Sequence, residues 1–464
     1  MARKNARVIF QRQTAVEKRR APGGRAQPNS YLVAVFLAIT CTISLCVSAD
    51  DGLSVPTGQA QQKGFNSEPP YGATPQADLR QTKFWKVKPV DTVPSTRWKF
   101  VIPSRLQGHS IVLFQDILYV KTPNQIFAID ATAGKVLWPY PVYAENDPNL
   151  KIRTSPCIVS NMAYFSVSIE PGLSAMHHDF NVDYSVDHYV YALNLHNRTL
   201  LWKFKSIGPV ENSPIIANGI AYFCSDYPAV APAGVGYGQF VWLYAVNALT
   251  GDLLWRFNLV HSLGGYSPAV CDGRVYITYG KQVCSLDAKT GNKLWSCATE
   301  NVKTPPIVLG DTVYIVEQGK DLLALDAKSG KEQWRMDRAV FDLACDGNTL
   351  YCAEYDKNAA GSVWRVVAVS RDNQKEIWQI RIPASPATEI KCVQIAGHML
   401  FCVVDAWDKA VGSNEYLLAI DTRDRKIKWS FSGRGKKLSA LQCAFGDGVV
   451  YLADCHENAL YALQ

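Results

Sequence analysis

Seven times along this chain a small residue stands ten positions before a tryptophan, and the offset never varies. The copies run from Ala128 to Trp138, Ala192 to Trp202, Ala245 to Trp255, Ser285 to Trp295, Ala324 to Trp334, Ala368 to Trp378 and Ala419 to Trp429. In residues 285–295, SLDAKTGNKLW, an apolar run reaches Asp287, Thr290-Gly291 supplies a tight turn and a second run closes on the tryptophan. One such stretch is an ordinary β-hairpin, because glycine between two apolar runs is a common turn signal. An offset kept seven times is a repeat, and it constrains the architecture more than any single motif.

Each copy has a second hairpin upstream, built around turns such as Asn218-Gly219, Asp272-Gly273, Asp346-Gly347 and Asp447-Gly448. Asn-Gly and Asp-Gly suit two-residue turns that need positive φ. Two hairpins per repeat give four strands, the sequence sign of a propeller blade. A blade that is apolar on both faces buries them only by stacking on neighbours until a ring closes. The chain ends in Leu460-Tyr461-Ala462-Leu463-Gln464, the first half of another copy, and Thr96 to Phe100 with Trp98 supplies a second half. The predicted fold is therefore all-β: an eight-bladed β-propeller of four-stranded blades over residues 96–464, with the last blade closed by N- and C-terminal strands.

In such a ring the repeat residues hold the blades together. The docking set is Trp98, Trp138, Trp202, Trp255, Trp295, Trp334, Trp378 and Trp429, each a flat surface for the next blade to cover. Gly134, Gly251, Gly291 and Gly330 permit the turn without a Cβ penalty. Arg198, Gln374 and Arg425 stand where the glycine would be, so those turns are expected to differ in shape. Spacings between successive small residues are 64, 53, 40, 39, 44, 51 and 43, which put the large insertions in blades two, three and seven.

The pattern resembles the pyrroloquinoline-quinone (PQQ) type propeller repeat with its tryptophan docking motif, over roughly Arg97 to Gln464. That repeat is known from quinoprotein dehydrogenases and from the outer-membrane protein assembly factor B (BamB-like) propellers. For a dehydrogenase the resemblance implies an adjacent Cys-Cys ring against the quinone, a calcium held by carboxylate and amide, and a catalytic aspartate. This chain has no Cys-Cys pair and no haem-attachment motif, and no aspartate matches the catalytic one. The expectation is a non-catalytic, extracytoplasmic protein-interaction scaffold of the cell envelope, with no catalytic residue and no cofactor. The alternatives are a dehydrogenase-like enzyme using PQQ with Ca2+, and a propeller that binds carbohydrate or a small ligand.

The net charge of +7 resides wholly in residues 1–30, so the remainder is neutral and nothing in it favours nucleic acid as a partner. That basic stretch leads into the apolar run Tyr31 to Val47 and then Val47-Ser48-Ala49. Residues 1–49 read as a secretory signal cleaved after Ala49, or as an uncleaved anchor with its basic end in the cytoplasm. Either reading exports the ring to the periplasm or cell envelope and confines membrane association to the N-terminal segment. Residues 50–95, rich in Gly, Pro, Gln and Ser, read as a flexible linker.

Irregular stretches are where such a ring binds things. The blade-two insertion carries His177, His178, Asp179, Asp183, Asp187 and His188, imidazoles and carboxylates of the kind that hold metals, though no spacing fixes them on one face. The blade-three insertion, 227–240, is apolar and uncharged, with Tyr227, Tyr237 and Phe240. The blade-seven insertion, 405–415, contains Trp407. With blade two these are the expected contact loops for envelope or outer-membrane proteins, on a ring expected to be monomeric. Ser155-Pro156, Ser213-Pro214, Ser267-Pro268 and Thr304-Pro305 read as strand starts, where proline's missing N–H is harmless. Eleven cysteines follow the leader, most of them in apolar alternating runs; they read as buried thiols, with Cys345–Cys352 and Cys392–Cys402 the pairs best placed for disulfides. Asn197-Arg198-Thr199 is a glycosylation sequon.

Overall fold

The chain divides into two compact units, residues 1–66 and 67–464. The computed structural model describes residues 83–464 except 107–110, 142–148, 170–186, 230–237, 261–265, 301, 303, 318, 357–362, 383–387, 409–411 and 433–440. The described part is eight antiparallel sheets of four main strands, an eight-bladed β-propeller. Blade four is typical: Ala269–Cys271, Arg274–Tyr279, Gln282–Asp287 and Lys293–Ala298. The first strands of neighbouring blades touch one another, so they line the axis. The fourth strands alternate between buried and exposed residues and form the rim.

Register explains the ten-residue offset. It sets the small residue directly opposite the tryptophan: Ser285 faces Trp295, Ala324 faces Trp334, and the same holds in every blade. On its other side the small residue faces an aromatic of the second strand, as in Tyr276–Ser285–Trp295 and Tyr222–Ala245–Trp255. The two rings meet above it with centroids 6.0 Å apart in blade four, 5.9 Å in blade three and 5.7 Å for Phe401–Trp429. A larger side chain at the middle position would occupy the space where the rings meet. Directly after the small residue the ladder slips by one, a β-bulge repeated in seven hairpins that adds local twist.

Closure is as predicted. Blade eight consists of Gln442–Gly446, Val449–Asp454, Ala459–Leu463 and Thr96–Val101, with Trp98 opposite Ala462. The Ser95 and Gln464 main chains exchange hydrogen bonds of 2.8 and 2.9 Å across the chain ends.

Residues 83–95, read from composition as the end of a linker, are built into the ring. Phe84–Trp85 pairs in parallel with the first strand of blade seven, on the side facing the axis. The segment then crosses the junction of blades seven and eight. Gly397 N–H donates to the Trp85 carbonyl at 2.9 Å and Gly448 N–H to that of Lys88 at 2.7 Å, and Trp85 packs on Phe445 at 4.9 Å. Val90 ends buried in the cluster shared by the two blades.

Candidate functional site

Two faces of the ring differ. One carries the turns between first and second strands and between third and fourth strands; the other carries the connections between second and third strands and between blades.

On the turn face, each docking indole meets the next blade. Asp287 Oδ1 accepts from the N–H groups of Lys289 and Thr290 and shapes a tight turn, and Asp130 and Asn247 do the same in their blades. This leaves the carbonyl after the Asp or Asn pointing at the preceding blade. Trp98, Trp202, Trp255 and Trp295 donate Nε1–H to the carbonyls of Ala131, Ala248, Ala288 and Ala327, each at 3.0 Å. The same four carbonyls accept a phenol from Tyr451, Tyr164, Tyr222 and Tyr276 at 3.0–3.2 Å. Burial pushes the Tyr164 and Tyr276 phenols up to about 12, so both stay protonated donors.

Glycine is required twice at these turns. Gly134, Gly251, Gly291 and Gly330 have φ of +67° to +80°, and a Cβ on any of them would lie 2.4–2.9 Å from the indole of the preceding blade. The expectation that Arg198, Gln374 and Arg425 change the turn is corrected: their φ values are 60°, 58° and 60°, the same left-handed conformation. What changes is the contact above. Trp138, Trp334 and Trp378 still pack against the following blade. Among the described residues, however, they make no indole bond to its turn. Trp429, facing blade eight whose turn is the chain break, donates instead to the Val90 carbonyl at 3.0 Å.

On the opposite face the insertions of blades three and seven are ladders rather than loops. Blade three continues through Tyr227–Phe240 to Ala229–Gly238, and blade seven through Trp407–Ser413 to Asp408–Gly412. Their second and third strands are ten residues long against six in blade four. Four extra residues at 3.3–3.4 Å each raise these hairpins by about 13 Å. Blades three and seven stand opposite each other in a ring of eight. Tyr237, His177, His178, Asp179 and Asp183 lie outside the described residues. His188 Nδ1 is 2.8 Å from Ser168 Oγ, and Asp187 accepts from Tyr189 at 2.6 Å and pairs with Lys205 at 2.5 Å.

This face also holds buried charge that sequence reasoning missed. Glu317 ends the second strand of blade five and Glu354 lies two residues before the end of that of blade six; they are 0% and 1% exposed. Glu317 accepts from Arg335 at 2.7 Å and from the Glu300 N–H at 2.8 Å; Glu354 accepts from Arg338 at 3.0 Å and Arg365 at 3.1 Å. Lys121 ends the second strand of blade one, one residue nearer its ladder tyrosine, donates to the Arg153 carbonyl at 2.8 Å, and is pulled down to about 8 by burial. The only sequence signal was one charged residue near the end of an otherwise apolar strand.

All eleven cysteines of the ring are free. Cys392 opposes Val403 and Cys402 opposes Val393, neighbouring pairs whose side chains point to opposite faces. Cys345 and Cys352 share a face but lie two pairs apart on the ladder, beyond ordinary disulfide reach. Burial pushes Cys157 and Cys392 up to about 12, which makes them inert as thiols. Trp364 is core, ringed by Phe341 and Tyr355, and Trp242 lies under the Arg256 guanidinium at 4.7 Å.

Dehydrogenases of this repeat type carry a quinone and a calcium. Lys83, Thr304, Pro305, Ile307, Val316, Asp342 and Leu343 line a cavity of about 10 Å³, room for one water. The Asp342 carboxylate is taken by Lys83 and by the Val393 N–H. Among the described residues no three His, Cys, Asp or Glu side chains form a ligand set. This donor set does not fit a calcium–quinone site.

Fold and repeat together define an eight-bladed β-propeller of the PQQ-repeat type. Residues 239–401 match the family described as outer membrane protein assembly factor BamB. Among curated proteins, the tetrathionate hydrolase of Acidithiobacillus ferrooxidans is 21% identical over 293 residues, 50% of this chain and 53% of that one. The chain thus spans about half the length of the curated relative it matches. BamB from Moraxella catarrhalis superposes with a TM-score of 0.54 at 12% identity, covering 80% of this chain and 100% of that one. The quinohemoprotein alcohol dehydrogenase of Comamonas testosteroni gives 0.59 at 12% identity, covering 84% and 80%. The computationally designed protein Ika8 gives 0.53 at 12%, covering 78% and 99%. An assembly factor, a dehydrogenase and a designed protein share the fold, which therefore leaves activity open.

Proposed function

We propose that this chain is an exported, non-catalytic scaffold that grips a protein of the cell envelope between the tall hairpins of blades three and seven. The observation that carries this reading is the pair of opposed ladders, bonded out to Ala229–Gly238 and Asp408–Gly412 on the same face of the ring. A ladder is ordered before the partner arrives, so less entropy is lost on binding than with a free loop. The likeness to assembly factor B accords with a scaffold. The neutral body argues against a polyanion partner, and membrane attachment is assigned to the N-terminal segment alone.

The test trims each hairpin to blade-four length, with an Asn-Gly turn closing the shortened ladder, and repeats site-specific photo-crosslinking from the loop face in envelope extracts. Both variants should melt like the parent and lose the crosslinked partner. Unchanged crosslinking after both trims refutes the proposal. A stoichiometric complex with PQQ and calcium that reduces dye would replace it with the dehydrogenase reading.

A further inference from the structure

We infer that Asn197 is an acceptor for an N-linked glycan, carried on the turn face of the ring. The sequence holds a single Asn-x-Ser/Thr sequon, Asn197-Arg198-Thr199. It falls on the turn between the third and fourth strands of blade two, where His196 to Thr199 are all exposed. Thr199 Oγ1 donates to Asn197 Oδ1 at 2.8 Å and the Thr199 N–H donates to the same oxygen at 3.2 Å. The carboxamide is thus held by its oxygen, and among the described residues its Nδ2 has no partner. These contacts lie within three residues, so the arrangement forms locally, before the ring closes.

The surroundings leave room for a sugar. At four junctions the corresponding turn is capped by an indole of the preceding blade, 2.4–2.9 Å from where a glycine Cβ would stand. Arg198 replaces that glycine at φ 60°, and Trp138 makes no bond to the turn. The chain's leader carries the features of an export signal, so the sequon follows a secretory route. The turn lies on the face opposite the tall hairpins, and a glycan there leaves them accessible.

The step is a group transfer. Asn197 Nδ2 attacks the anomeric carbon of a polyprenyl-diphosphate oligosaccharide. The C–N bond forms, the carbon–oxygen bond to diphosphate breaks, the amide nitrogen loses a proton, and the lipid diphosphate leaves with the electron pair.

Blade six supplies an internal control. Asn373 holds the same turn position, Gln374 has φ 58°, and Asn373 Oδ1 accepts from the Lys375 N–H at 3.0 Å. Only the hydroxyl two residues on is missing. The full chain, purified from its natural source and in parallel secreted with its own leader from yeast, is analysed by peptide mass spectrometry and by endoglycosidase-sensitive gel mobility. One glycan on Asn197 is expected in both. Asn197→Gln and Thr199→Ala should lose it, Thr199→Ser should keep it, and Lys375→Thr should gain a second on Asn373, with melting unchanged throughout because every site is exposed. An unmodified Asn197 peptide in the natural protein overturns the inference, as does a chain retained in the cytosol or a mobility shift that survives Asn197→Gln.

Discussion

Gly330→Ala separates two reasons for a glycine at a turn. Gly330 and Gly273 have nearly the same backbone, φ +70° and +71°, but a Cβ on Gly273 would meet nothing within 4 Å while one on Gly330 would lie 2.4 Å from Cε3 of Trp295. Alanine at Gly273 therefore costs only the left-handed strain, about 1–2 kcal/mol. At Gly330 the same strain is joined by displacement of an indole that is 8% exposed. Overpacking at such a site costs about 1–3 kcal/mol and the lost Nε1–H bond to Ala327 about 1 kcal/mol. The expected totals are about 1–2 kcal/mol for Gly273→Ala and about 4 kcal/mol for Gly330→Ala, read by urea denaturation followed by tryptophan fluorescence. In a Trp295→Ala background the excess at Gly330 should shrink towards the Gly273 value, because the double mutant removes the clashing ring. Gln374→Gly should have the opposite sign or none, since it relieves left-handed strain at a turn without an indole bond and gives back a few tenths in unfolded-state entropy. Equal costs at Gly330 and Gly273 would refute the view that the indole, and not the backbone, demands glycine.

Two further outcomes follow from closure and buried charge. Deleting Leu460 to Gln464 removes fully buried Leu460 and Leu463, leaves Thr96–Val101 without its ladder and leaves Val449–Asp454 paired on one side only. At about 1.5–3 kcal/mol per buried side chain this approaches the whole stability of a domain, so the truncated chain should lose its cooperative melt; a parent-like melt in calorimetry would contradict closure by the chain ends. Lys121, with its ammonium disfavoured by burial and a folded pKa of about 8 against an ordinary 10.5, makes the fold bind fewer protons than the unfolded chain between those values. Stability should thus rise with pH across about 8 to 10 in the parent relative to Lys121→Met and run parallel to it below 8, and parallel curves throughout would contradict the shift.

What was legible in the sequence follows the physics of repetition. The eight blades, the closing strand and the docking tryptophans were readable because each obeys a fixed register, and a register shows as a fixed spacing. The aromatic partner of each tryptophan was not read from the sequence; only the structure shows that Tyr276 and Tyr451 share a carbonyl with an indole. The shape of the Arg198, Gln374 and Arg425 turns was misread, because a non-glycine side chain was taken to exclude positive φ. It costs about 1–2 kcal/mol there and is tolerated where the indole of the preceding blade makes no bond to the turn. The segment 83–91 was illegible for a different reason. It contains one two-residue strand, and the main-chain bonds that seat it on Gly397 and Gly448 leave no pattern in side-chain identity.

Those exceptions fall where the ring departs from its own rule. Blades three, four and five follow one another through glycine turns with the tryptophan–tyrosine–carbonyl bond intact. At the next two junctions the alanine after the turn Asp or Asn is replaced by Arg371 and Thr422, and the Tyr351 phenol donates to Asp346 of its own blade at 2.7 Å. At the closing junction the turn is missing, and Val90 supplies the acceptor from the segment that follows Phe84–Trp85. The junction of blades one and two lacks the indole bond at the Asn197 turn but is linked on the opposite face, where Lys121 Nζ donates to the Arg153 carbonyl and Lys151 Nζ to Asn124 Oδ1, both at 2.8 Å. A ring can keep its geometry with one such bond missing, because the apolar stacking of Trp138 against blade two remains. The open turn and the raised hairpins lie on opposite faces, so the two irregularities that the repeat does not require are separated by the thickness of the ring.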